Sequence, residues 1–219
     1  MKSHNIFEFP LNERIRVFIR LEQLFLQLDH FLAGNTIWDK RAAIDILLDI
    51  LIIFSRNDLK SEILKELDRH SSILNQIADN QGVDVSKLDH ILDKLNNISK
   101  SLYEASGKIG VSVMESELFK SISQRSSIPG GTCSFDLPAY HYWLEQDETS
   151  QYKDLEQWTK PFTVIHAAID LILKFIRQSS VPSPETAEAG FFQLALDLGP
   201  HAAASSGVSS LSRRLVSAR

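Results

Sequence analysis

The chain has 219 residues, of which 43% are hydrophobic and 23% are charged, and its formal net charge is −5. This composition is typical of a globular protein with a full hydrophobic core. Proteins that coat nucleic acid carry a large basic excess, so the acidic balance argues against that class. The single cysteine excludes an internal disulfide framework and fits a reducing compartment. The N-terminus lacks the apolar run of a signal peptide, and we expect a cytoplasmic protein without membrane insertion.

Apolar residues recur at helical spacing through the first 180 residues, which predicts a mainly α fold, a bundle of about six or seven helices. Asn57 or Asp58 is the expected cap of the third helix and Ser86 that of the fourth. The second helix is apolar on more than one side and should be central in the bundle. The predicted helices are Leu11–Leu32, Trp38–Ser55, Leu59–Ile77, Ser86–Leu102, Glu115–Gln124, Pro138–Trp143 and Leu155–Arg177.

The character of the chain changes after Ser180, which predicts three parts: a helical domain (1–180), a linker with the residual start of a β domain (181–201) and a tail (202–219). Two prolines mark the linker, and Gly190–Leu194 has the composition of a strand. We therefore expect a truncated or residual β-strand portion after residue 185. The tail contains little besides Ala, Ser and Arg, and such a composition predicts disorder.

Residues that could support catalysis do not form a recognisable pattern. The seven histidines show no i, i+4 pair, and there is no HExxH motif, so no metal site is expected. An activated thiolate needs a specialised environment, and a lone thiol such as Cys133 is more often a small buried hydrophobe. The Gly107–Gly110 segment lacks the spacing of a phosphate loop. We expect neither an enzyme nor a bound cofactor.

An irregular segment, Ser127–Pro138, interrupts the helical pattern. Its two prolines fix φ and lack an N–H, while Gly130 and Gly131 permit positive φ. The segment is therefore predicted to be a shaped connector rather than a continuing helix. A charged residue beside such a loop is well placed for recognition, which makes Arg125 a candidate contact residue.

The third helix and its approach carry the cations Arg56, Lys60, Lys65 and Arg69 among four carboxylates. The cations fall as two i, i+4 pairs, and one interpretation is a solvated, salt-bridged helix face whose individual ion pairs are weak. The other is that part of this set contributes to a cationic groove for an acidic peptide, with arginine offering a planar fork to carboxylates. Spacing alone favours the first interpretation.

Several segments together resemble the bacterial cell division protein ZapD family, in matching order over roughly residues 6–193. The longest is the connector string Ser-Ile-Pro-Gly-Gly-Thr-Cys-Ser-Phe-Asp-Leu-Pro. The others are Phe7–Arg16, Arg20–Glu22, Leu64–Arg69 and Ile176–Ser179.

The resemblance implies a dimeric, non-enzymatic, cytoplasmic protein at the midcell division ring. Members of this family bind the C-terminal tail of the tubulin-like GTPase FtsZ and bundle its filaments. Their fold joins a helical domain to a β domain, with a basic pocket near the junction. Two sites on one dimer would bridge two filaments through avidity. Arg56, in the matching context Phe54-Ser55-Arg56, is the first candidate for a partner contact, followed by Arg125 and then by Lys60, Lys65 and Arg69.

Two departures from the family pattern are visible. The family's β domain continues with alternating strands past position 193, whereas this chain runs into an Ala/Ser/Arg tail, which suggests a frameshifted or altered C-terminus. Glu115, Ser116 and Glu117 stand where relatives tend to be basic. The alternative function is a helical-bundle regulator that binds a small molecule or nucleic acid, and this alternative would need convergent polar groups or a basic stripe.

Overall fold

The structure, a computed structural model, describes residues 5–56, 58–78, 84–105, 107–179 and 212–217. These residues are mainly helical, which confirms the predicted fold class. No helix in these ranges is both long enough and apolar enough to span a bilayer. The helices are α1 (Glu13–Leu32), α2 (Ile37–Arg56), α3 (Leu59–Ile77), α4 (Val85–Glu104), α5 (Val111–Met114), α6 (Glu117–Arg125), α7 (Pro138–Leu144), α8 (Glu148–Thr159) and α9 (Thr163–Gln178).

The described residues form two compact units, and the smaller consists of 5–20 with 171–179 and 212–217. In it, strand β1 (Asn5–Pro10) pairs antiparallel with strand β2 (Ser212–Ser217), with Phe7 opposite Leu215. The Arg177 guanidinium donates two hydrogen bonds of 2.8 Å to the carboxylate oxygens of Glu8. This two-point geometry is the strongest form of ion pair, and it ties β1 to the end of α9.

Strand β1 was not predicted, because the sequence before α1 is too short to show a strand period. The predicted linker and the expected strand at Gly190–Leu194 lie outside the described residues. Within the predicted tail, 202–219, the six residues of β2 form a strand, and the remainder lies outside the described residues. The proposed division into three parts therefore stays a prediction.

The larger unit, Leu21–Asp170, is built around α2. An apolar stretch in the middle of this helix is buried, as expected for a helix that is apolar on several sides. Lys40 is buried with it, and its ammonium donates a 2.8 Å hydrogen bond to the Gly34 carbonyl just beyond the end of α1. The core residues that α2 contributes are Ala43, Ile44, Ile46, Leu47, Leu48, Ile50 and Leu51.

The helices differ from the prediction in a division, a cap and an additional short helix. The single helix expected over Leu155–Arg177 is divided into α8 and α9 by a 3-10 turn at Lys160–Phe162, where Pro161 supplies no N–H. Helix α4 is capped by Asp84, whose carboxylate accepts a 3.2 Å hydrogen bond from the Lys87 backbone, and not by Ser86. The four-residue helix α5 is too short to leave a periodic signal. Asp58, one of the two proposed caps, does cap α3.

Aromatic and amide side chains fix the turn between α7 and α8. The buried Gln151 amide donates hydrogen bonds of 3.0 and 2.9 Å to the carbonyls of Trp143 and Leu144, which satisfies the C-terminus of α7. The Trp143 indole N–H donates to Asp154 at 2.9 Å, and its ring packs 5.6 Å from that of Trp158. The helix that follows the connector is therefore held rigidly.

Candidate partner-binding site

The Ser127–Pro138 connector is a run of turns, which confirms that it does not continue the helix. Backbone bonds close it internally, among them Gly131 N–H to the Ile128 carbonyl at 2.8 Å and Leu137 N–H to the Cys133 carbonyl at 3.0 Å. Gly130 has a φ of 73°, the left-handed conformation that favours glycine. The connector is therefore a preformed loop.

Two arginines hold the connector from outside. The Arg41 guanidinium donates to the Thr132 carbonyl at 3.3 Å and lies 4.9 Å above the centre of the Tyr140 ring. Arg125 contacts Asp136 at 3.2 Å, and the Cys133 thiol donates to the same carboxylate at 3.3 Å. Arg125 is thus engaged with the loop itself, and a partner carboxylate would have to compete with Asp136 for it.

A small pocket lies where α3 begins. It has a volume of about 300 Å³, and all of its lining residues belong to the larger unit. Gly107, with a φ of 80°, turns the chain from α4 back towards it. Two lysines, an aromatic ring and aliphatic side chains share this one pocket. The lining residues are Phe54, Ser55, Asp58, Leu59, Lys60, Gly107, Lys108 and Ile109.

The charge of this pocket is positive. Lys60 donates a 2.6 Å hydrogen bond to the Ala105 carbonyl and keeps its charge at the pocket wall, while Lys108 is exposed. Asp58 is the single carboxylate in the lining. Hydrogen bonds from the Ser61 hydroxyl and backbone hold the pKa of Asp58 below its usual range. Its oxygens are therefore used in capping α3, and the pocket presents two ammonium groups beside an apolar wall.

The structure places the five predicted contact residues at different positions. Lys60 lines the pocket, and Arg56 ends α2 two residues after Phe54, although its side chain lies outside the described part of the structure. Lys65 and Arg69 are about 140° and 180° around α3 from Lys60 and do not line it. Lys65 pairs with Glu62 at 2.9 Å, and Arg69 pairs with Glu66 at 2.8 Å.

Sequence reasoning missed Lys108. It was considered only as part of a phosphate loop, which the Gly107–Gly110 spacing excludes. The sequence did contain a signal for Lys108, because it stands between two glycines directly after a helix. This pattern indicates an exposed charge on a turn.

The buried face of α3 carries Glu66 and His70. Burial lowers the pKa of His70 to about 4, with Arg69 lowering it further and Glu66 opposing. The imidazole is therefore neutral near pH 7 and adds no positive charge to α3. The Glu66 carboxylate, in contact with Arg69, lies in the protein interior. Glu66 and His70 therefore belong to the packed interior and do not extend the cationic pocket.

A second cavity, an open groove of about 560 Å³, lies between α4 and the start of α9. Its rim places Asp93 beside Lys94, and its floor includes Ile98 and Val164. The opposite charges on the rim do not favour an anion. Although this groove is the larger cavity, the pocket at α3 fits an acidic peptide better because its cations are in excess.

Across the described ranges, no group of three or more His, Cys, Asp or Glu side chains is arranged to hold a metal ion. Cys133 is half-buried, and its thiol is engaged with the Asp136 carboxylate of the connector. The pocket at α3 offers charge and apolar contact to a partner.

Comparison with known proteins gives a consistent result. A family model described as ZapD, cell division protein, matches residues 19–203. The chain is 48% identical to the cell division protein ZapD of Methylococcus capsulatus, over 93% of this chain and 79% of the relative. It is 43% identical to ZapD of Nitrosomonas eutropha over 86% of this chain and 75% of the relative. The corresponding protein of Nitrosomonas europaea is 41% identical over 86% of this chain and 72% of its own length.

These matches place the chain among proteins of bacterial cell division. The chain belongs to the ZapD family.

Proposed function

We propose that this protein binds the C-terminal tail of FtsZ and cross-links FtsZ filaments, and so promotes assembly of the division ring at midcell. Membership of the ZapD family over residues 19–203 is the observation that supports this function. In this proposal the protein is a cytoplasmic binding factor that acts on the division ring by cross-linking filaments and not by catalysis.

Within this proposal, the tail's acidic groups contact the pocket at the start of α3. Lys60 and Lys108 provide two ammonium groups there, and Phe54 and Ile109 provide apolar surface for the neighbouring side chains of a peptide. Arg56 follows this aromatic residue in α2 and is the first candidate for a bidentate carboxylate contact. Arg125 is the second candidate, while Lys65 and Arg69 would contribute at longer range.

Cross-linking requires two such sites on one particle, and we propose a homodimer. A single exposed cationic site gives modest affinity, because solvent and salt screen its ion pairs. Two sites joined rigidly turn the second binding event into an intramolecular one, which raises the overall affinity without a further contact. Bundling of a polymer with many identical tails follows from this arrangement.

The variant Arg56→Glu tests the position of the site. Reversing this charge should lower the fraction of protein that co-sediments with FtsZ polymers about fivefold at about 0.15 M salt, because an attraction becomes a repulsion. The melting temperature should be unchanged. Lys153→Glu, an equal charge change on the exposed surface of α8, is the matched control and should sediment like the unmodified protein. Equal sedimentation of both variants would exclude Arg56 from the site.

A further inference from the structure

One face of α2 points away from the core. Trp38, Asp45, Asp49 and Ile52 lie within about 60° of one another around the helix axis, and we call these four residues the α2 outer face. Trp38 is 77% exposed and Ile52 is 46% exposed, whereas the core residues of α2 are buried. A large aromatic side chain therefore stands in solvent on a helix that contributes many residues to the core.

The connector carries a second exposed aromatic residue and is joined to α2 through Arg41. Arg41, one turn after Trp38, binds Thr132, and Phe135 follows three residues later with 82% of its surface exposed. Because the connector is closed by its own hydrogen bonds, Phe135 is held in solvent rather than free to fold inwards. Exposed aromatic residues grouped on a rigid surface are typical of protein interaction sites.

The charge of the α2 outer face indicates what it binds. Asp45 and Asp49 are one helical turn apart, and like charges at this spacing weaken a helix. Partial burial of the Asp45 carboxyl raises its pKa, Arg41 opposes the rise and Asp49 adds to it. The Arg41 guanidinium is already held by Thr132 and Tyr140. A cation from a partner would therefore relieve the repulsion between these two carboxylates.

A second copy of this chain is a poor occupant of the face. Pairing the face with itself would bring four carboxylates together, two from each copy, and like charges across an interface are strongly unfavourable. An acidic peptide meets the same repulsion. We propose that the α2 outer face, together with Phe135 of the connector, docks a basic peptide segment of a partner protein in which lysine or arginine alternates with large apolar side chains. This surface is additional to the pocket for the FtsZ tail.

Two fluorescein-labelled peptides of about 14 residues test this proposal. The lysine peptide has Lys and Leu at the spacing of an amphipathic helix, and the glutamate peptide has Glu in place of each Lys. We expect the lysine peptide to bind, as measured by fluorescence anisotropy. Asp45→Lys with Asp49→Lys should weaken its binding at least about tenfold. The control Asp89→Lys with Asp93→Lys makes the same charge change at the same spacing on exposed positions of α4, and should change binding less than about twofold.

An independent measurement uses the tryptophans. Trp143 and Trp158 are buried, so iodide quenching of the unmodified protein reports on Trp38. The lysine peptide should protect this fluorescence from iodide. Trp38→Ala should weaken peptide binding and leave the melting temperature unchanged, because the side chain is mostly in solvent. The same variants should still co-sediment with FtsZ polymers, which separates this proposal from that of the tail site.

Four results would overturn the proposal. The first is that the Asp45/Asp49 and Asp89/Asp93 double variants lose affinity equally, and the second is that the glutamate peptide binds as tightly as the lysine peptide. The third is that saturating lysine peptide leaves iodide quenching unchanged, and the fourth is that the protein self-associates and Trp38→Ala abolishes this. Equal loss of affinity would mean that the lysine peptide responds only to the protein's net charge of −5. Self-association abolished by Trp38→Ala would mean that a second copy of this chain occupies the α2 outer face.

Discussion

Replacing Lys60 and Lys108 together by glutamate is expected to weaken binding of the FtsZ tail about tenfold or more at about 0.15 M salt. Both ammonium groups line the pocket at α3, where two lysines stand against the single carboxylate of Asp58 among its lining residues. The double change replaces two positive charges with two negative ones beside Asp58, whose pKa is already low, so the pocket would repel an acidic peptide.

A labelled tail peptide titrated with each variant gives the dissociation constant directly, and a shallower salt dependence of the residual binding should accompany the loss. Lys94→Glu with Lys100→Glu, two exposed positions of α4, is the control with the same net charge change. Because Lys60 also holds the Ala105 carbonyl, the melting temperature of the double variant has to be compared with that of the unmodified protein. If both double variants bind the tail equally, the pocket at α3 is not the site.

Gly110→Ala is expected to destabilise the protein by about 2 to 4 kcal/mol. Gly110 has a φ of 82°, and an added Cβ would overlap a Leu51 methyl and lie 3.1 Å from the Phe162 ring. Both neighbours are buried core residues. The cost therefore combines left-handed strain with overpacking at the junction of α2 and the 3-10 turn. Urea denaturation monitored by circular dichroism gives the free energy of unfolding.

The variant Gly107→Ala separates the cost of left-handed backbone strain from the cost of overpacking. Gly107 has a nearly identical φ of 80°, but its Cβ would meet no atom within 4 Å. We expect a loss of about 1 kcal/mol from strain alone. Equal losses for the two variants would show that packing against Leu51 and Phe162 does not constrain the turn.

The helical part of the fold could be predicted from the sequence because its signals are local. Apolar spacing located α1 to α4 and α6, Asp58 was a correct cap, and Pro138 opens α7 as its fixed φ favours. The errors also have local causes. Pro161 was predicted to lie near the first turns of one long helix, whereas it separates α8 from α9. Ser86 was predicted to cap α4, whereas Asp84 caps it.

The site was less predictable because its geometry depends on distant pairs. Arg41 and Thr132 are 91 residues apart, and no spacing rule joins them. The sequence indicated that Arg125 lies beside a fixed loop, but not that Asp136 of the same loop contacts it. Lys108 enters the pocket only because the chain turns back after α4 to the start of α3. Charge alone could not distinguish Lys60, which lines the pocket, from Lys65, which pairs with Glu62.

The central claim is that a cationic site on this protein binds the tail of FtsZ and thereby bundles filaments. Low-speed sedimentation of FtsZ polymers with this protein, using FtsZ with and without its C-terminal tail, tests it most directly. We expect bundles to pellet with the complete FtsZ and to be absent when the tail is removed. Equal pelleting of both forms, or no pelleting of either, would contradict the claim.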